Sequence, residues 1–90
     1  MDLQRKPLCK NGFHVEQLDD AYLLYHPGGD QIVQMNPTAY VIWQLCDGQR
    51  TVDELVEVLQ QAYPDAVNEI ATDVPEMLQQ WAKDGCVDLL

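Results

Sequence analysis

Basic residues are scarce in this chain. Five Lys and Arg stand against fifteen Asp and Glu, a formal net charge of −10. Arg5, Lys6 and Lys10 all fall in the first ten residues, so residues 11–90 hold only Arg50 and Lys83 against fourteen acids. A nucleic-acid binder draws affinity from counterion release at a basic face, and this body lacks one. Nucleic acid is therefore not an expected partner, whereas a basic peptide or a basic patch on a protein would be steered toward it. Long apolar runs are missing too. None approaches the ~18 residues of a membrane span, and the charges of Arg5 and Lys6 are not followed by the apolar core of a signal peptide. The expectation is a cytoplasmic protein that touches no membrane.

Cysteine and histidine are equally sparse. Cys9, Cys46 and Cys86 form no CxxC pair, and an odd, dispersed set suits reduced thiols better than a disulfide framework. His14 and His26 have no acid or cysteine at a metal-ligand spacing beside them, so ordinary strand surface is the simpler reading. Cys46 falls on the apolar side of a helical pattern, where a core thiol is expected rather than a nucleophile. Asp19-Asp20 is a turn, and Asp53-Glu54 is a first helical turn, where acids complement the dipole. Gly28-Gly29 lacks the spacing of a phosphate loop. Trp43 and Trp81 read as core anchors. No nucleophile–base set, metal site or cofactor cage emerges, and we expect a non-catalytic chain without metal or cofactor.

What the sequence does contain is strong punctuation. At 47% hydrophobic and 22% charged residues the chain has the composition of a folded domain rather than a disordered one. Residues 1–11 read as a flexible arm and 12–90 as a single domain. Three strands are predicted at 13–18, 21–26 and 31–35, separated by Asp19-Asp20 and by the turn Pro27-Gly28-Gly29-Asp30, and they should pair as an antiparallel meander. The order of strands is open, so the third is either central or an edge. Asn36 then caps a helix with Pro37 at its first position, and Gly48 supplies a left-handed stop. Thr51 with Glu54 forms a capping box. Helices are predicted at about 37–47, 52–63 and 67–83. The second carries Val52, Leu55, Val56, Leu59, Ala62 and Tyr63 at amphipathic spacing. The third carries Val67, Ile70, Ala71, Val74, Met77, Leu78 and Trp81. Pro75 should kink or split this third helix. Gly85 stops it, and 86–90 is an extended tail. The fold class is α+β, a winged helix-turn-helix-like arrangement of a three-stranded antiparallel sheet followed by three helices.

These residues resemble the PqqD-like proteins, a family of RiPP recognition elements. The likeness is carried by Leu23-Leu24-Tyr25-His26-Pro27, by Met35-Asn36-Pro37-Thr38-Ala39 and by Leu45-Cys46-Asp47-Gly48-Gln49-Arg50-Thr51-Val52. It continues through Leu55, Ala62-Tyr63-Pro64, Asp73-Val74, Met77-Leu78 and Gly85-Cys86-Val87, covering roughly 21–88. Pro75 and Gly28-Gly29 depart from the pattern. The resemblance implies a non-catalytic adaptor that binds the leader segment of a ribosomally made precursor peptide. It implies further that the adaptor presents the peptide to a modifying enzyme, a radical S-adenosylmethionine (SAM) maturase. The peptide would add as a strand beside the third strand, against Gln31, Ile32, Val33, Gln34 and Met35. It would pack on a helix wall of Asp73, Met77 and Gln80. The chain would be a monomer or weak dimer. Three other readings stand beside this one: a lasso-peptide leader-binding protein working with a protease, a winged-helix DNA-binding regulator, which the charge opposes, and a purely structural partner subunit.

Overall fold

Alternating side chains and tight turns build the sheet. The computed structural model describes residues 2–29 and 32–90. Its strands are β1 (Pro7–Cys9), β2 (His14–Leu18), β3 (Ala21–Tyr25), β4 (Ile32–Met35) and β5 (Val87–Leu89), and its helices are α1 (Pro37–Leu45), α2 (Val52–Ala62) and α3 (Val67–Lys83). The expected α+β architecture is present: an antiparallel sheet in the order β2-β3-β4, then three helices. Position 31, the predicted start of the third strand, lies outside the described residues. Leu24 pairs with Val33 and Tyr22 with Met35 on one face, while Tyr25 pairs with Ile32 and Leu23 with Gln34 on the other.

Local capping sets the helices. The Asn36 side chain accepts from the Ala39 N–H at 2.7 Å, and Pro37 occupies the first turn. Gly48 has φ +76°, and a Cβ there would meet Leu8 Cδ1 at 3.3 Å, so both conformation and space require glycine. At α2 the Thr51 Oγ1 accepts from the Glu54 N–H at 3.1 Å, and Glu54 Oε1 accepts from the Thr51 N–H at 3.0 Å. The Thr51 N–H, and then its hydroxyl, hold the Glu54 carboxyl below its ordinary value of 4.5. A depressed carboxyl stabilises the fold above its unfolded pKa, and that contribution disappears as pH falls through the lower folded value. Thr51→Ala should cost about 1 kcal/mol in a denaturant melt. The difference in melting between wild type and Glu54→Gln should shrink on acidification below 4.5.

All three helices close on one core, where Leu24, Met35, Ile42, Trp43, Leu55, Leu59, Val74, Leu78 and Trp81 meet. α1 lies across β3 and β4, and α3 packs on α2 and β5. Four apolar positions predicted for the helix stripes, Ala62, Tyr63, Val67 and Ala71, are instead exposed. The core side of α3 is narrower, running through Ile70, Val74, Leu78 and Trp81. Pro75 does not split α3, which is continuous from Val67 to Lys83. The only intrahelical bond that proline forfeits is to the carbonyl of Ala71, an exposed residue whose oxygen water can reach.

The N-terminal segment departs most from the sequence reading. Residues 7–9 are not part of a loose arm: β1 pairs antiparallel with β5, Pro7 opposite Leu89 and Cys9 opposite Val87. Pro7 is fully buried and Cys9 half-buried. The extended tail is thus a strand with a partner.

Candidate functional site

Strand order determines what β4 can do. β3 takes one side of β4, and β4 forms one edge of its three-stranded sheet among the described residues. An edge strand carries a row of backbone N–H and C=O groups that a further strand can pair with. β4 is also held firmly. Met35 is 1% exposed, Val33 packs against the core, and the strand runs directly into the Asn36 cap of α1. This edge is a fixed template.

The two faces of β4 differ. Val33 and Met35 point to the core; Ile32 and Gln34 point away from it. Residue 31, the first expected strand partner, lies outside the described residues. On α3, Asp73, Met77 and Gln80 are spaced i, i+4 and i+7 and so share one side of the helix. This side flanks the core stripe of Val74, Leu78 and Trp81. Met77 sits at the boundary, half-buried and packed on the core that also receives Val33 and Met35. Asp73 and Gln80 are exposed, and the Gln80 amide donates to Asp84 Oδ1 at 3.1 Å. The structure therefore brings Val33, Met35 and Met77 to one core cluster and leaves Ile32, Gln34, Asp73 and Gln80 on the surface.

Among the described residues no group of three or more His, Cys, Asp or Glu is placed to hold a metal ion, and no helix is long and apolar enough to cross a membrane. Burial pushes the Cys46 thiol up to about 12, with Cys9 and then Asp47 adding to the shift. Burial likewise raises Cys86. Raised thiols carry little thiolate at neutral pH. Among the described residues two ion pairs form, Lys10–Asp88 and Arg50–Asp47, so most of the acids remain available to set the field of the surface.

Sequence reasoning did not single out the outer face of the sheet. Across its register His14 faces Tyr25 and Tyr25 faces Ile32, and the His14 and Tyr25 rings stack with centroids 5.7 Å apart. Period-2 alternation within each strand was the available signal; knowing which strands are neighbours was the missing one.

Residues 21–87 match the family described as Coenzyme PQQ synthesis protein D (PqqD). A PqqA binding protein of Pseudomonas savastanoi pv. phaseolicola is 32% identical over 78 residues, 87% of this chain and 80% of that relative. One from Methylococcus capsulatus is 35% identical over 85 residues, 94% of this chain and 85% of the relative. A third, from Pseudomonas entomophila, is 32% identical over 80 residues, 87% of this chain and 85% of the relative. No solved structure matches the chain.

Proposed function

Because the chain belongs to the PqqD family, whose members are non-catalytic, we propose that it is a carrier of a PqqA-type precursor peptide. The relatives are named for binding PqqA. The peptide's leader segment pairs with the free edge of β4 over Ile32–Met35, and its inward side chains pack toward Met77, between Asp73 and Gln80 on α3. The observation that carries this reading is the sheet order: among the described residues β4 is an edge, anchored by Met35 and with no strand along its other side. Strand addition draws affinity from main-chain hydrogen bonds and register from side-chain contacts. The acidic body attracts cationic segments of the peptide or its enzyme over a Debye length of about 10 Å at 0.1 M salt. The chain then delivers the bound leader to the modifying enzyme, a radical SAM maturase.

Calorimetric titration with synthetic PqqA tests the binding. Met77→Ala should weaken the peptide by about 1–2 kcal/mol. Its loss of stability should be smaller than that of Leu78→Ala, whose fully buried side chain should cost about 2–5 kcal/mol. Unchanged affinity in a folded Met77→Ala variant would remove this residue from the site.

A further inference from the structure

Among the described residues Ile32 is the most exposed of the large apolar residues outside the core, at 65%, and it lies on the edge strand. Bare apolar side chains at an open sheet edge invite unwanted pairing, and proteins usually place charge or proline there. Ile32 is not isolated. Its cross-strand neighbour Tyr25 is half-buried yet does not join the core, and Tyr25 stacks on His14. Leu23, beside Gln34 in the next rung, is likewise half-buried and outside the core. The outer face of the sheet thus carries a row, His14–Tyr25–Ile32, that stops at the very edge where the next strand would lie.

A peptide strand added to β4 must alternate its side chains as β4 does. Its inward residues turn to the side of the sheet that faces the core. Its outward residues emerge beside Ile32 and Gln34, and a directly opposed pair brings Cβ atoms to about 4.5–5.5 Å. We infer that the outer face of the sheet reads the peptide as well. An apolar or aromatic side chain on the outward side of the leader strand packs on Ile32 and extends the His14–Tyr25–Ile32 row by one position. This inference rests on the proposed strand addition at β4. It adds a second, opposite-facing specificity contact, which fixes register because a one-residue slip would place a different set of peptide side chains on Ile32.

Ile32→Asn tests it, since position 32 is exposed and outside the core. Wild-type and variant chains are titrated with synthetic PqqA peptides from Methylococcus capsulatus and Pseudomonas savastanoi. Melting curves are recorded for both chains, and sedimentation follows the free proteins. The expected result is unchanged melting with roughly tenfold weaker binding. In an alanine scan of the peptide, at least one apolar position should lose its effect when Ile32 is absent. If the wild type binds and Ile32→Asn binds equally, the outer-face contact is wrong while strand addition survives. An Ile32-dependent dimer of the free chain with unchanged peptide affinity would overturn it in the same way. If the wild type binds none of the peptides, the reading of a peptide carrier fails and the inference falls with it.

Discussion

A variant lacking residues 2–9 should fail to fold cooperatively. The segment is stitched to three distant places. Lys6 and Leu90 exchange both backbone hydrogen bonds at 2.9 Å, and the Arg5 guanidinium donates to the carbonyls of Leu89 and Leu90. The Cys9 N–H donates to Cys46 O at 2.8 Å, and the Gly48 N–H to Pro7 O at 2.9 Å. The Val52 and Asp53 N–H groups donate to Arg5 O and Leu3 O at 2.9 and 3.0 Å. These last two are first-turn donors of α2, which have no partner inside their own helix. The truncation also uncovers the site of Pro7, fully buried in the intact chain. Each net hydrogen bond contributes about 0.5–1.5 kcal/mol, against a total stability of about 5–15 kcal/mol for a domain. The combined loss is therefore a large share of the whole. Circular dichroism melts of full and truncated chains decide it. Broad, low-temperature unfolding is expected, and a transition within a few degrees of the full chain would show the segment to be dispensable.

Trp43→Ala should be nearly as damaging. Trp43 is 7% exposed, and its ring meets Trp81 of α3 edge-on at 5.6 Å and Phe13 at 6.1 Å. One side chain of α1 thereby ties the third helix to the residue that precedes β2. Truncating a buried aromatic costs about 3–5 kcal/mol, and edge-to-face pairs add about 0.5–1.5 kcal/mol beyond area burial. Urea titration should show the midpoint falling with little change in slope. A loss below about 1 kcal/mol would mean that the aromatic cluster does not hold the two layers together.

The contrast between these two regions shows what could be read from residues alone. Asn36, Gly48 and the Thr51–Glu54 box specify helix ends through interactions spanning three or four residues, so the boundaries of α1 and α2 were accessible from local chemistry. The meander was accessible for the same reason, because short turns join its strands. β1 was not. It is three residues long and begins with proline, and its partner β5 lies at the opposite end of the chain. No local periodicity reports such a pairing. Pro75 does not split α3: a proline removes one hydrogen bond, and a 17-residue helix clamped by Ile70, Val74, Leu78 and Trp81 absorbs that loss. At the candidate site, the residue types along β4 were visible in the sequence, and a meander in chain order makes it the end strand of three; what was not visible was whether a further strand covered its other side. Only the fold shows that β1 pairs with β5 and not with β4, and that Ile32 and Gln34 face away from the core while Val33 and Met35 face into it.

Amide hydrogen exchange, followed residue by residue with and without a saturating PqqA peptide, tests strand addition at β4 most directly. Alternate amides of Ile32–Met35 have no partner in β3 and should exchange readily in the free chain. The account predicts that the peptide slows these outward amides selectively, with those of β2, the opposite edge, unchanged. Protection of the β2 edge instead, or tight binding that leaves every β4 amide exchanging as before, would contradict it.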